Sequence, residues 1–262
     1  MKNLFLVLLI ISLVSCKQTS ETKKENTQPE DASAILKTYP ENISKIFKAH
    51  GGIDLWNTME SLVFEIEHPE GNEETTTALK SRKSLIETDK FKIGFDGEKV
   101  WLKQDTLAYK GNAKFYYNLM FYFYAMPFVL ADDGIVYEDV EPLIFEDKTY
   151  PGIKISYNAG VGESPEDEYV LYYDFETNKM VWLGYTVTFF SKEKSKEFHF
   201  IKYSNWQTVE GVLLPETLTW YNYENNKPTT KRNDLKFVGV KLSKEKPSDA
   251  LFEMADGAKI VE

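Results

Sequence analysis

Side chains able to do chemistry are few in this sequence, and they are widely spread. Three histidines (His50, His68 and His199) and one cysteine (Cys16) occur in 262 residues. A single cysteine allows no disulfide within the chain and no thiolate zinc site. His50 sits before Gly51-Gly52 at the end of a predicted helix, and no nucleophile or carboxylate accompanies it at a recognisable spacing. His199 lies mid-strand between Phe198 and Phe200, where an outward-facing polar residue is the simpler reading than a base. The cluster Glu163, Glu166, Asp167 and Glu168 has the residue types for acid–base work or cation binding. Its plainer reading is a solvated, self-repelling loop. Asp132-Asp133-Gly134 likewise reads as a turn, with a calcium site as the alternative. GxSxG, Walker and HExxH motifs are absent, and Gly160-Val161-Gly162 is a lone GxG in a loop. The expectation is a non-enzymatic protein with no cofactor and no metal.

Aromatic surface is what the chain has in excess. Seventeen Phe, sixteen Tyr and five Trp favour strands, where rings fit the pleated surface. Trp101, Trp182, Tyr185, Trp206 and Trp220 fall on predicted strands. Phe115, Tyr116, Leu119, Tyr122, Phe123 and Met126 fall in the run FYYNLMFYFYAMPFVLA, residues 115–131. Taken singly, each of these residues reads as core. Together they are the candidate lining of an apolar ligand cavity. The run is too short to span a bilayer, which needs roughly 20 apolar residues. It is predicted to be helical to about Met126, because Pro127 disfavours helix in the residue before it. A helix apolar all round must be covered all round, by protein, lipid or a bound apolar ligand.

The elements positioning these residues are mostly strands. A first helix starts at Pro40-Glu41-Asn42, with Ile43, Ile46 and Phe47 at helical spacing and Gly51-Gly52 as its left-handed cap. A short second helix carries Ile53, Leu55, Trp56 and Met59. Strand signals then recur at intervals of roughly eight to twelve residues. They cover 61–67, 91–95, 99–103, 152–158, 168–175, 197–206, 218–223 and 235–242. Residues 75–88, with Lys80, Arg82 and Lys83, read as one exposed or edge strand. In 180–190, Val181, Leu183, Tyr185, Val187 and Phe189 make an apolar face, as a central strand should. No fixed repeat period emerges, which excludes propellers and solenoids. The net charge of −10 argues against nucleic acid and against broad contact with an anionic membrane surface.

The amino terminus reads as an address. Residues 1–15 combine Lys2 with the apolar core LFLVLLIISLV, as a secretory signal does. Leu13-Val14-Ser15-Cys16 resembles the lipobox of bacterial lipoproteins. The resemblance implies cleavage before Cys16, diacylation of its thiol and acylation of its new amino terminus. The alternatives are an ordinary signal peptide with a stray cysteine, or a short membrane anchor. Two or more acyl chains, at about 0.8 kcal/mol per buried CH₂, form a stable anchor. Residues 16–39 are polar and aperiodic, so they are expected to be a disordered tether holding the domain on average about 25 Å from the lipid. Lys17 is not the aspartate that retains lipoproteins at the inner membrane of enteric bacteria, so the resemblance favours the outer membrane. It leaves the leaflet open.

Two further stretches resemble the carriers and receptors that sort bacterial outer-membrane lipoproteins, the LolA/LolB-like superfamily. One is Ala49-His50-Gly51-Gly52-Ile53-Asp54-Leu55-Trp56 with the strand that follows it. The other is the ending Pro247-Ser248-Asp249-Ala250-Leu251-Phe252-Glu253-Met254-Ala255-Asp256-Gly257-Ala258-Lys259-Ile260-Val261. The similarity is greatest to lipoproteins of Bacteroidota-type Gram-negative bacteria. It implies that residues 40–262 form a half-open, unclosed antiparallel β-barrel of about eleven strands with covering helices. It also implies a lipid, or the acyl chains of a lipoprotein, as the ligand of the concave face. The competing expectation is an interaction lipoprotein of the envelope with a filled core, and after it a hydrolase using the acidic loop.

Overall fold

Alternating burial decides where the sheet runs. In β1 (Ser61–Ile66), Leu62, Phe64 and Ile66 are fully buried while Val63 and Glu65 are half-buried, the period of a strand with one face on a core. The neighbouring β2 (Glu73–Ala78) sets Thr77, Thr75 and Glu73 opposite those three residues, and all three are buried with them. The computed structural model describes residues 37–158 and 166–261. The signal segment, Cys16, most of the tether, and residues 160–163 lie outside the described residues.

Residues 75–88 are not one edge strand. They divide into β2 and β3 (Ser84–Glu87), joined through a turn in which Arg82 has a φ of 60°. Both strands are interior, β2 between β1 and β3, and β3 between β2 and β4 (Phe91–Phe95). The cationic turn points inward: Arg82 Nη2 donates to both carboxylate oxygens of Asp132 at 2.7 Å, and its guanidinium lies 5.1 Å from the Phe121 ring centre. A charge that reads as edge protection in the sequence is paired instead with a partly exposed carboxylate.

β5 (Val100–Gln104) completes this first meander. The second comprises β6 (Ile135–Phe145), β7 (Lys148–Tyr157), β8 (Tyr169–Tyr173), β9 (Met180–Tyr185), β10 (His199–Val209), β11 (Val212–Glu224) and β12 (Lys227–Ser243). A last short strand, β13 (Lys259–Ile260), pairs with β5. The order along the sheet is β13-β5-β4-β3-β2-β1-β12-β11-β10-β9-β8-β7-β6, antiparallel at every step. Its two end strands do not pair with each other. The fold is therefore an unclosed antiparallel β structure with few helices, of thirteen strands rather than about eleven. Two strands are absent from the sequence reading: the two-residue β13, and β6, an edge strand whose Glu138, Asp139, Glu141 and Pro142 suit an unpaired edge and obscure its alternation.

The apolar run 115–131 is not a single helix. It breaks into α3 (Ala113–Tyr116), α4 (Leu119–Tyr124) and a 3₁₀ turn (Phe128–Ala131), with a cis peptide bond between Met126 and Pro127. For this numbering α1 is Glu41–Ala49 and α2 is Ile53–Asn57. A run of aromatic residues has weak helix propensity, so packing decides its path. Tyr124 stacks on Phe237 at 4.4 Å and meets Phe64 at 4.7 Å, which ties the run to β12 and β1. Phe123 meets Tyr185 at 4.9 Å and its carbonyl accepts from the Tyr203 hydroxyl at 2.7 Å, which ties it to β9 and β10. The segment thus packs into one core cluster with β1, β9, β10 and β12. Among the described residues no helix is long and apolar enough to cross a membrane.

Glycine closes α1 as its sequence suggests. Gly51 has a φ of 108°, and a Cβ there would lie 2.5 Å from the Gly211 carbonyl oxygen, so the position requires glycine twice over. The other face of the sheet carries apolar clusters of its own. One packs Trp101 with Ala78, Leu85 and Phe252 of the carboxyl-terminal segment, and the other packs Trp182 with Leu143, Tyr150 and Phe200.

Candidate functional site

A cleft of about 320 Å³ remains where α3 and α4 approach the ends of β7 and β8. Phe115, Leu119, Tyr122, Phe123 and Val129 form one wall, all from the apolar run. Tyr157, Tyr169 and Phe189 form the facing wall. Three rings gather at its rim: Phe115 lies 5.2 Å from Phe189 and 5.1 Å from Phe190, and Phe190 is 67% exposed. Burial pushes the Tyr157 and Tyr169 hydroxyls far above the usual phenol range, so both remain protonated. A groove of about 400 Å³ beside α1 is larger, but charged side chains such as Glu41, Lys45 and Asp139 line much of it, and these are engaged with one another or with Asn42.

Besides Tyr117, Tyr122, Tyr157 and Tyr169, the polar residues lining the cleft are Asn118, Asp132, Asp133 and Asp167. Asp167 accepts two hydrogen bonds from Thr188, through the backbone N–H and the hydroxyl, both at 2.7 Å. Burial raises its carboxyl pKa, and the Thr188 donors and Lys192 oppose that rise. Asn118 precedes α4, where its side chain would ordinarily accept from the first helical N–H groups, yet it makes no such bond. The residue is 7% exposed, and among the described residues its Oδ1 has no hydrogen-bond partner.

Of the eleven residues expected to line a cavity, the cleft brings together Phe115, Leu119, Tyr122 and Phe123. Tyr116 instead donates to the buried Glu73 carboxylate at 2.7 Å, and Met126 is buried in the core. Trp220 and Tyr185 form a pair, indole N–H to phenol oxygen at 3.0 Å, behind Phe123. Trp206 stacks on Tyr203 beside His50, away from the cleft. Trp101 and Trp182 belong to the opposite face of the sheet, because Val100 and Leu102 on β5, and Leu183 and Tyr185 on β9, take the helix-facing positions. The sequence reading missed Tyr117, Asn118, Val129, Asp132, Asp133 and Asp167 as cleft residues, together with Tyr157, Tyr169 and Phe189. Asn118 was visible as an amide inside an otherwise apolar run, and Asp132, Asp133 and Asp167 were visible as acidic residues but not as neighbours of that run.

Two of the histidines are packed into the fold, and His68 is exposed. His50 is fully buried, and burial takes its pKa down to about 4. His199 is not outward-facing: it pairs across the strands with Tyr185, is half-buried, and lies 5.3 Å from that ring. Among the described residues no group of three or more His, Cys, Asp or Glu side chains could hold a metal ion.

Residues 76–233 match the family model DUF6503, a family of unknown function. The chain belongs to that family. The matched span of DUF6503 includes every residue lining the cleft. No curated protein matches the chain. Among solved structures, a DUF1329 family protein from Desulfovibrio piger is similar at 11% identity and a TM-score of 0.47, over 82% of this chain and 98% of the other. A LolA superfamily protein from Nitrosomonas europaea gives 9% identity and 0.45, over 77% and 96%. A putative outer membrane lipoprotein-sorting protein domain from Vibrio parahaemolyticus gives 8% and 0.37, over 78% and 97%. These likenesses are loose, and the sheet order above stands without them.

Proposed function

We propose that this DUF6503 protein is a lipid-anchored protein of the bacterial cell envelope that binds a hydrophobic ligand, a lipid or the acyl chains of a lipoprotein, without chemical turnover. The observation that carries the reading is the cleft between the apolar run and the ends of β7 and β8, whose volume lies at the lower end of the range for ligand sites. Anchoring at Cys16, attachment to the outer membrane and kinship with Bacteroidota-type lipoproteins are parts of the same reading, supported by the lipobox and the two end motifs.

The experiment uses protein lacking residues 1–16. Organic extraction with mass spectrometry should recover a co-purifying lipid, and the protein should bind the neutral fluorophore N-phenyl-1-naphthylamine. Leu119→Trp, which places a larger ring in the cleft, should reduce that binding at least ten-fold. Absence of both lipid and fluorophore binding would end the reading.

A second reading has its own observation. The run is packed into the core, and Phe175 and Phe190 are 75% and 67% exposed, so an interaction lipoprotein would dock through such side chains. Cross-linking in cells from position 175 or 190 to a single envelope protein, with no ligand in the cleft, would favour it.

A further inference from the structure

We infer that the occupant of the cleft is an apolar chain whose head donates hydrogen bonds and carries no negative charge. This rests on the ligand-binding reading above and specifies it. Two independent observations meet here. The first is charge: among the described residues Asp132, Asp133 and Asp167 line the cleft, and no lysine, arginine or histidine does. Arg82 is held against Asp132 from the turn before β3, and the Lys192 ammonium lies 4.3 Å from the Phe189 ring centre, outside the lining. A carboxylate or phosphate head entering beside Asp167 would meet like charge in a partly desolvated site, where repulsion is stronger than in water.

The second observation is the Asn118 carbonyl. A buried acceptor without a partner costs free energy until a donor arrives, and a hydroxyl, amide N–H or ammonium would supply one. Asp167 already accepts two bonds from Thr188, and a carboxylate retains further acceptor capacity. The lining tyrosine hydroxyls can donate or accept, so the groups that discriminate between heads are the Asn118 carbonyl and the Asp167 carboxylate, both acceptors.

The test is displacement of N-phenyl-1-naphthylamine at pH 7.5, from protein lacking residues 1–16, by three twelve-carbon amphiphiles below their micellar concentrations. Dodecylamine and dodecanamide should each displace the fluorophore at concentrations at least ten-fold lower than dodecanoate. The amine and the amide separate a cationic head from a neutral donor. Asp167→Asn retains an acceptor for the Thr188 donors and should weaken the amine relative to the amide, by about three-fold or more. Asn118→Leu should weaken both by at least three-fold relative to the fluorophore's own affinity for that variant. Dodecanoate displacing as well as the amine and the amide would overturn the inference yet leave ligand binding intact, and would point to Lys192 as an anion anchor. If the fluorophore does not bind at all, the binding reading falls and takes this inference with it.

Discussion

His50 and Met180, 130 residues apart, are joined at the centre of the fold: the backbone N–H of Met180 donates to His50 Nε2 at 3.4 Å. The other ring nitrogen lies 2.8 Å from the Ile46 carbonyl, so Nδ1 carries the proton and the imidazole is neutral. The backbone carbonyl of His50 in turn accepts from Leu213 N–H at 2.9 Å. One residue thus ties the end of α1 to β9 and β11.

Burial lowers the His50 pKa from 6.5 to about 4, with the Ile46 carbonyl opposing that shift and Lys179 adding to it. Between those pH values the unfolded chain binds a proton that the fold refuses. The stability tied to the neutral ring is therefore complete above pH 6.5 and is lost as pH falls toward 4, by about 3 kcal/mol in all. Urea unfolding of the wild type and of His50→Leu should show the wild-type advantage shrinking by about 2 kcal/mol between pH 7.5 and pH 5. An advantage independent of pH would refute the assignment.

Glu73 titrates with the opposite sign. It is 5% exposed and accepts from the Tyr116 hydroxyl, and burial raises its pKa against the effects of Tyr116 and His68. The folded chain holds this proton more firmly than the unfolded chain, so stability falls as pH rises from 4.5 through the raised folded value. Glu73→Gln keeps an acceptor for Tyr116 without the buried charge and should be at least as stable as wild type at pH 7.5. Glu73→Ala leaves the hydroxyl without that acceptor and should cost about 1–3 kcal/mol.

Gly94 lies beneath the Trp101 indole, its cross-strand partner on β5. A Cβ on Gly94 would fall 2.1 Å from Trp101 Cζ2, and the indole is fixed from above by its N–H bond to the Phe252 carbonyl at 3.0 Å. Gly94→Ala should destabilise by about 1–3 kcal/mol. Its effect should be markedly smaller in a Trp101→Leu background, since contacting residues couple. Additive losses would place the cost elsewhere.

Lipidation has a direct readout. Cys16→Ser should abolish incorporation of labelled palmitate and release the protein from the membrane fraction. Retained label would assign acylation to another residue or end the lipobox reading.

Much of the architecture was legible because alternation survives where one face meets the core, as in β1 and β9. It failed where polar residues were buried or apolar residues exposed. Thr75, Thr77 and Glu73 look solvent-facing in the sequence yet oppose Leu62, Phe64 and Ile66. β6 is an edge, so its burial pattern is weak. For the cleft, residue type alone picked out Phe115 and Phe123 but could not assign faces. Trp101 and Trp182 were grouped with the cavity although alternation separates Trp182 from Leu183 and Tyr185. Both faces of those strands are apolar, one covered by the internal run and the other by Phe252 or by Phe145 and Tyr221. That second cover comes from distant sequence, which no local pattern reveals.

β12 pairs with β1, placing Ser61 against Ser243, while β13 pairs with β5, and Phe252 between them seats on Trp101. The end of the chain therefore clasps the first meander on both flanks and across its back. A polypeptide appearing amino terminus first, from a ribosome or a translocation channel, cannot seal its earliest strands until its final ones have arrived. Those strands must wait with both margins bare, so a prematurely terminated chain forfeits its beginning as well as its end.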